Sequence, residues 1–302
     1  MPTSPAAERA ARMVRDDDKG GFPGQQQQPP GLTDVMEPVP DHGEESYTGS
    51  GKLEGLRALI TGGDSGIGRA VAIAFAREGA DVAINYLEEE QPDAEETVRQ
   101  VEAAGRRAIT LPGDLVSREV CEGVVASAVE QLGGLDILVN NAGYHWARGE
   151  EGLQGLEPDQ VDRVLRTNLH AIIWLTKAAA PHIPAGGSII NTSSVQAYEP
   201  STQLLDYAAT KAAVNNLTVN LAAELGPKGI RVNAVAPGPI WTPLQPATRP
   251  SEKIETFGAD TPLGRAGQPA ELAPAYVFLA SPRDASYVSG TVIGVTGGKP
   301  VF

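Results

Sequence analysis

A tyrosine and a lysine four positions apart, Tyr207 and Lys211, are the residues of this 302-residue sequence best suited to acid–base chemistry. A spacing of four places both side chains on one face of a helix, where their ends can approach a common ligand. A phenol has a pKa of about 10, so a tyrosine needs a nearby cation to act as a base near neutral pH. Lys211 would supply that charge. The alternative is an ordinary Tyr–Lys pair on an amphipathic helix.

A glycine-rich segment lies much earlier in the chain, between a short apolar run and a helical pattern. Glycines there let the backbone turn tightly and approach a pyrophosphate, whose charge is favoured by the unpaired N–H groups at a helix start. The order of strand, loop and helix favours a dinucleotide site over an ordinary tight turn. The expected contacts with the cofactor are Gly62, Asp64, Ser65, Gly66, Ile67 and Gly68.

Short apolar runs rich in Val and Ile alternate with longer helical patterns from Leu56 onwards, as strands buried on both faces require. The expected strands cover residues 56–60, 82–85, 108–111, 137–139, 188–191, 231–235 and 291–295. This alternation predicts parallel strands joined by right-handed crossovers, hence a doubly wound, Rossmann-type α/β sheet with ligands at the carboxyl ends of its strands. We expect one catalytic domain over residues 51–302.

Residues 1–50 differ in composition from the rest of the chain, with a glutamine run at 25–28 followed by prolines, and they lack a periodic apolar pattern. We call this segment the arm. Isolated apolar residues predict an arm without regular secondary structure that docks on its own domain or on a neighbouring subunit. A disordered tail is the alternative. The expected anchors are Phe22, Leu32, Val35, Met36, Val39 and Tyr47.

Composition narrows the class of partner and the compartment. The 24 basic and 38 acidic residues give a net charge of -14, which disfavours attraction to nucleic acid or anionic lipid. The single cysteine, Cys121, cannot form an intrachain disulfide, and the four histidines lack metal-ligand spacing, so we expect no metal. No apolar run is long enough to predict a membrane span. These features predict a cytoplasmic protein that acts on small molecules.

The motifs together resemble the short-chain dehydrogenase/reductase family. The glycine loop has the family's Thr-Gly-(three residues)-Gly-Ile-Gly spacing, Asn140-Asn141-Ala142-Gly143 follows the fourth strand, and Pro237-Gly238 follows the sixth. The resemblance covers the chain from residue 56 to its C-terminus. The arm, with Pro40-Asp41-His42-Gly43-Glu44, further resembles a bacterial subgroup related to general stress proteins.

This resemblance implies an oxidoreductase that transfers a hydride between NAD(P) and a carbonyl or secondary alcohol. It implies that Tyr207 is the general acid/base and that Lys211 also binds the nicotinamide ribose. Ser194 would hold the substrate oxygen, Asn168 would position a water for a proton relay, and Ser193 would serve as a backbone cap. Further cofactor contacts are expected at Tyr86, Leu87, Asp114, Leu115, Asn141, Ala142, Gly143, Pro237, Gly238, Ile240 and Thr242.

The choice between NAD and NADP depends on the residues after the second strand. The NAD pattern would place an Asp near Tyr86 and the NADP pattern an Arg, and neither is present. The acidic run at 88–90 would repel a 2′-phosphate, so the expected preference is NAD. Were NADP preferred, Arg69 would be the phosphate partner, although it could simply lie on the first turn of its helix. Asp114 could instead cap the next helix.

Three other features carry expectations about the substrate and the assembly. His145 follows the Asn-Asn-Ala-Gly turn and is expected near the substrate, or alternatively in a surface loop. Residues 239–268, which we call the lid, contain several prolines and glycines and predict a mobile cover rather than a packed element.

Small and apolar residues over much of the helices at 165–180 and 208–225 predict a homodimer or the homotetramer usual in the family. The surface residues that indicate this are Ala212, Ala213, Leu217, Leu221 and Ala222. The competing function is a catalytically silent NAD(P)-binding sensor or scaffold, which should have lost Tyr207, Lys211 or Ser194.

Overall fold

Parallel strands form the centre of the protein in a computed structural model, which describes residues 21–147 and 152–302. The beginning of the predicted arm, before residue 21, lies outside the described residues. In chain order the strands are β1 Arg57–Thr61, β2 Asp81–Tyr86, β3 Ala108–Pro112, β4 Ile137–Asn140, β5 Ser188–Thr192, β6 Arg231–Pro237 and β7 Val292–Val295. Each predicted strand is confirmed with its ends shifted by at most two residues.

The sheet has seven strands in the order β3-β2-β1-β4-β5-β6-β7, and every neighbouring pair is parallel. The order reverses beside β1, where Ile60 pairs with Ile84 of β2 and with Val139 of β4. Open α/β sheets bind ligands in the crevice outside such a switch point. The predicted doubly wound Rossmann-type fold is therefore confirmed, and its crevice lies where the glycine loop leaves β1.

Helices cover both faces of the sheet. They are α1 Gly66–Arg77, α2 Gln91–Ala103, α3 Arg118–Leu132, α4 Pro158–Leu165, α5 Ala171–Ala179, α6 Leu205–Leu225, α7 Leu244–Thr248, α8 Ser251–Ile254 and α9 Ala273–Ala280. Successive strand side chains point to opposite faces, so Ile60 packs with α1, α2 and α9, whereas Leu59 packs with α3, α5 and α6. Full burial of such a side chain contributes about 1.5–3 kcal/mol. None of the helices in the described ranges is long and apolar enough to cross a membrane.

The arm lies against its own domain from residue 21 onwards. It is irregular apart from a short 3-10 turn at Thr33–Val35, as predicted. Phe22 stacks on Trp241 with ring centres 3.8 Å apart, and the Trp241 indole donates to the Pro38 carbonyl at 2.8 Å. Docking of this part of the arm is confirmed. The anchors Val35 and Val39 are wrong, because their side chains are 63% and 52% exposed.

The lid is a packed element, contrary to the expectation of a mobile cover. It contains α7 and α8, and its apolar side chains form a separate cluster with two residues of the arm. The cluster consists of Phe22, Met36, Trp241, Ile254, Phe257 and Ala266. The prolines break the segment into short helices, and the arm supplies the apolar surface that packs against them. This arrangement places the lid over the carboxyl ends of the strands.

Candidate active site

A cavity of about 720 Å³ opens at the carboxyl ends of the strands, beneath the lid. The loops after the first six strands, β1 to β6, line it, and Pro29 and Pro30 of the arm form part of one wall. Nearly all the residues predicted to bind cofactor or substrate face this cavity. They are Gly62, Asp64, Ser65, Gly66, Ile67, Tyr86, Leu87, Asp114, Leu115, Asn141, Ala142, Gly143, Ser194, Tyr207, Lys211, Pro237, Gly238, Ile240 and Thr242.

Two predicted site residues, Gly68 and Asn168, do not line the cavity. Gly68 lies behind the loop, where any Cβ would overlap the Gly62 carbonyl oxygen. Its contribution is the close approach of α1 to the loop. Gly62 and Gly66 adopt φ values of +58° and +48°, which glycine tolerates without steric cost. A Cβ on Gly66 would lie 3.0 Å from Cγ2 of Thr242, so a side chain at this position would crowd the Thr242 side of the cavity.

The first turn of α1 faces the cavity, and Ser65 at its N-cap makes no side-chain cap hydrogen bond. Beside it, Oδ2 of Asp64 is buried and has no hydrogen-bond partner in the described part of the chain. A glycine cradle with free helix N–H groups suits a pyrophosphate, and an orphaned carboxylate oxygen suits a ribose hydroxyl. These observations fit a dinucleotide.

Two carboxyl groups with raised pKa values lie at this end of the cavity. Burial raises the pKa of Asp64, and burial together with the Asp64 charge raises the pKa of Glu90 to about 8. Tyr86, at the end of β2, donates its hydroxyl to Oε1 of Gln91 at 2.6 Å. The pocket wall that follows β2 therefore carries carboxyls rather than a cation.

Arg69 lies on the first turn of α1, which is one of the two roles left open for it, whereas Asp114 does not cap the next helix. Arg69 is buried and bound to Oδ1 of Asp93 at 2.9 Å and to the Asp64 carbonyl, so it is neither at the surface nor directed into the cavity. A 2′-phosphate could recruit it only by breaking that buried ion pair. Asp114 pairs with Arg163 at 3.0 Å, and Ser117 caps α3, which makes the capping alternative for Asp114 wrong.

Tyr207 and Lys211 lie on the face of α6 that borders the cavity, as their spacing predicts. The Lys211 ammonium is 5.4 Å from the centre of the Tyr207 ring and donates to the Thr192 carbonyl at 2.7 Å. Burial lowers the pKa of Lys211 to about 8. Burial also raises the pKa of Tyr207, and a hydrogen bond with Ser194 and the charge of Arg249 oppose that rise.

Of the two serines at the end of β5, Ser194 and not Ser193 caps the backbone that follows. Ser194 borders the cavity, and its Oγ accepts the Gln196 N–H at 3.1 Å, which caps a short 3-10 helix. Ser193 donates to Oδ1 of Asn215 at 2.5 Å and so fastens β5 to α6. The expected capping role of Ser193 is wrong. That expectation was based only on the positions of the two serines in the sequence, which do not show that Asn215 of α6 binds Ser193.

Asn168 is fully buried in a π-helical turn, Arg166–His170, between α4 and α5. Its amide oxygen accepts the Tyr144 N–H and its amide nitrogen donates to the Tyr144 carbonyl, both at 2.8 Å. The same nitrogen donates to Thr210 at 3.2 Å. These bonds tie the loop after β4 to α6, and they explain why the side chain does not reach the cavity.

Two further side chains accompany Tyr207. His145 is buried with its ring centre 5.2 Å from that of Tyr207, so the surface-loop alternative is wrong. Burial lowers the pKa of His145 to about 3, and its Nδ1 lacks a partner among the described residues. Arg249, just after α7, also lines the cavity. Sequence reasoning missed Arg249 because a lone cation in a proline-rich segment has no spacing that indicates where it points.

Comparisons with known proteins agree with this architecture. A family model described as enoyl-(acyl carrier protein) reductase matches residues 62–299. An uncharacterized oxidoreductase of Bacillus subtilis is 56% identical over 283 residues, which cover 92% of this chain and 94% of that protein. General stress protein 39 of Bacillus subtilis is 48% identical over 274 residues, covering 91% and 94% of the two chains. The expected resemblance to the general stress proteins is confirmed.

Two other similar proteins bear on the cofactor. The chloroplastic NADPH-dependent aldehyde reductase 1 of Arabidopsis thaliana is 46% identical over 277 residues, which cover 90% of this chain and 96% of that one. The crystal structure of a short-chain dehydrogenase from Burkholderia cenocepacia in complex with NADP has a TM-score of 0.76 and 37% identity, covering 82% and 99% of the chains. These relatives support NAD(P) binding and give no support to a preference for NAD.

The sheet order, the glycine cradle and the Tyr–Lys pair agree with the family model and with relatives that are named oxidoreductases. These names also speak against the silent sensor or scaffold. The chain therefore belongs to the short-chain dehydrogenase/reductase family and is an NAD(P)-dependent oxidoreductase.

Proposed function

We propose that this protein reduces an aldehyde or ketone, or oxidises the matching alcohol, with Tyr207 as the proton donor or acceptor. The observation that carries this proposal is that Tyr207, Ser194 and Lys211 line the same cavity as the glycine loop. Bound nicotinamide supplies or accepts the hydride at the carbonyl carbon. During reduction, Tyr207 gives its hydroxyl proton to the carbonyl oxygen.

Ser194 and Lys211 assist the tyrosine in different ways. Ser194 donates a hydrogen bond to the substrate oxygen and holds it beside the phenol. Lys211, charged below its pKa of about 8, favours the phenolate and would hold the ribose of a bound nicotinamide cofactor. Asn168 acts as a positioning residue through the Tyr144 backbone, because its amide is fully engaged there and with Thr210.

The cofactor preference follows from two carboxyls, Asp64 in the loop after β1 and Glu90 after β2. Asp64 and Glu90 both line the cavity, and the nearest arginine in sequence, Arg69, is held by Asp93. A ribose hydroxyl can donate to these carboxyls, whereas a 2′-phosphate would be repelled by charged Asp64 and, above its pKa of about 8, by Glu90. This supports NAD as the better ligand, in contrast to the relatives whose names include NADP or NADPH.

The organisation of the molecule extends this proposal. Residues 1–50 form an arm, of which residues 21–50 steady the lid, and residues 51–302 form the catalytic domain. The enzyme is a homo-oligomer, a dimer or tetramer, that acts in the cytoplasm on a small carbonyl or alcohol. Exposed apolar side chains on α5 and α6, Ile173 and Val219, support the assembly, and subcellular fractionation tests the compartment.

The decisive experiment compares Tyr207→Phe with the wild type in aldehyde reduction, using NADH and NADPH. Loss of the proton donor should lower kcat by about 10²–10⁴-fold, because the ring remains but the acid is gone. Cofactor affinity, measured by calorimetry, should stay within about twofold. Tyr198→Phe removes a hydroxyl from a half-buried tyrosine that does not line the cavity, and it should keep the normal rate. A Tyr207→Phe enzyme with nearly normal kcat would refute the mechanism.

A further inference from the structure

The lid contributes two cations, Arg249 and the exposed Lys253, to the same cavity as Tyr207. The Arg249 side chain is half-buried. Its Nε donates to Oε1 of Gln245 at 2.9 Å, and its guanidinium carbon lies 5.3 Å from the centre of the Phe257 ring. These two contacts fix the orientation of the guanidinium while its two terminal nitrogens make no hydrogen bond within residues 21–147 and 152–302.

Two other cations that line this cavity are neutralised by the protein itself. Arg163 pairs with Asp114 at 3.0 Å, and Lys299 pairs with Asp260 at 2.7 Å. No carboxylate in the described part of the chain forms such a pair with Arg249. The charge of Arg249 is therefore available to a ligand in the cavity.

A partly buried charge without a counter-ion is energetically unfavourable, and burial lowers the pKa of Arg249 accordingly. The planar guanidinium offers paired N–H groups that match the two oxygens of a carboxylate or phosphate. His145, the aromatic neighbour of Tyr207, has its pKa lowered to about 3 and is neutral, so it does not attract an anion. Arg249 is thus a half-buried and oriented cation suited to a negative group, whereas Lys253 is exposed to solvent.

We propose that the substrate of this enzyme carries an anionic group, a carboxylate or a phosphate, which Arg249 binds while Tyr207 and Ser194 hold the carbonyl oxygen. The inference rests on the proposed carbonyl reduction and names its substrate class. It makes Arg249 a specificity-determining residue. The competing role is purely electrostatic, in which the Arg249 charge only offsets the burial of the Tyr207 phenol.

A matched pair of aldehydes separates these roles. 4-Carboxybenzaldehyde carries the anion, and methyl 4-formylbenzoate is its neutral ester with a similarly activated carbonyl. The wild type should have the higher kcat/KM for the acid. Arg249→Gln should lower that value by about 10- to 100-fold, the worth of a charge-assisted hydrogen bond, and change the ester by less than about threefold. Arg249→Lys keeps the positive charge but lacks the paired N–H groups of the guanidinium, so it should recover part of the lost kcat/KM for the acid.

The control is Arg283→Gln, which removes an arginine that is 86% exposed, and it should leave both aldehydes unaffected. Equal losses for acid and ester in Arg249→Gln would mean that Arg249 acts only on Tyr207, and this would overturn the proposal. A wild type that prefers the ester, or an unchanged Arg249→Gln enzyme, would overturn it as well.

A binding measurement distinguishes failure of this inference from failure of the proposed reaction. Benzoate and benzamide are titrated calorimetrically into the enzyme loaded with reduced cofactor. Benzoate should bind more tightly than benzamide, and Arg249→Gln should remove the difference. If no aldehyde is turned over but benzoate binding depends on Arg249, the anion site stands and the reaction is wrong. If benzoate does not bind, or binds independently of Arg249, the inference is wrong.

Discussion

At Tyr207, burial and charge act in opposite directions. Burial favours the neutral phenol, while the hydrogen bond with Ser194 and the positive charge of Arg249 favour the phenolate. Lys211 is 5.4 Å from the ring centre, yet its ammonium donates to the Thr192 carbonyl, and burial lowers its own pKa to about 8. Tyr207 is therefore protonated and able to act as the acid in carbonyl reduction. Formation of its phenolate, the base needed for alcohol oxidation, depends on the surrounding positive charge.

Glu90 gives the cofactor preference a defined dependence on pH. Burial and the nearby Asp64 charge raise the pKa of Glu90 to about 8, so the carboxyl is neutral at pH 7 and charged at pH 9. The charged form repels a 2′-phosphate that the neutral form tolerates. We expect the affinity for NADPH relative to NADH to fall by on the order of tenfold between pH 7 and pH 9. Calorimetric titration of both cofactors at each pH measures this ratio.

Glu90→Gln should make that ratio independent of pH, because the amide carries no charge. Glu89→Gln is the matched control, since Glu89 is exposed in the same acidic run and should leave the pH dependence intact. Lys211 loses its charge in the same pH range, but it would contact a ribose that both cofactors share, so its effect cancels in the ratio. A ratio that rises with pH would contradict the assignment of Glu90.

The residues that could be predicted from the sequence are those whose geometry is local. Tyr207 and Lys211 share a helix face at a spacing of four, and the glycine loop is one turn between adjacent elements. The sequence predicted His145 near the substrate but left a surface loop as the alternative, and it did not predict the placement of Arg249, because burial beside Tyr207 depends on loops that are distant in sequence. The ion pair of Arg69 with Asp93 was not predicted for the same reason, since Asp93 lies on a different helix from Arg69.

At the scale of elements, the arm and the lid stabilise each other. Neither segment has the periodicity of a strand or a long helix, so the sequence predicted each as irregular. What it did not predict is that they share one apolar cluster. The Phe22–Trp241 stack, with ring planes inclined by 11°, joins them, and backbone bonds such as Gln27 N–H to the Pro246 carbonyl at 2.9 Å add to it.

Phe22→Ala should therefore loosen the lid rather than damage the chemistry. Removing a buried phenylalanine costs about 3 kcal/mol, and the loss falls on the arm and lid cluster. We expect a higher KM for the aldehyde, a lower melting temperature and a smaller change in kcat, measured by steady-state kinetics and calorimetry. Val35→Ala is the matched control, because Val35 is on the same arm but 63% exposed. Equal effects of the two substitutions would show that the arm does not brace the lid.

At the scale of the whole molecule, the net charge of -14 is compatible with an anionic substrate only if the active site provides local positive charge. Arg249 beneath the lid provides it, beside a cofactor end that carries Asp64 and Glu90. The cavity is thus lined by buried or half-buried cations as well as by carboxyls. Composition predicted the overall charge, whereas this arrangement arises from the fold, which brings residues after β1, β2 and β6 to one crevice.

The outer faces of α5 and α6 bear on the oligomeric state of the enzyme. Ala212 is exposed, and Ala213, Leu217, Leu221 and Ala222 are half-buried, so the face predicted to bind a second subunit is only partly covered within one chain. Ile173 and Val219 add larger apolar side chains that are 38% and 55% exposed. Such a face on two adjacent elements favours a symmetric contact with a second copy.

Val219→Asp should dissociate the assembly, because it would bury a charge without a partner at that contact. Light scattering at micromolar concentration should give a dimer or tetramer mass for the wild type and a lower mass for the variant. Val35→Asp, which places the same charge at a valine that is 63% exposed on the arm, should keep the wild-type mass. A monomeric wild type would contradict the predicted oligomer. A Val219→Asp variant that keeps the wild-type mass would show that this face of α6 is not the subunit contact.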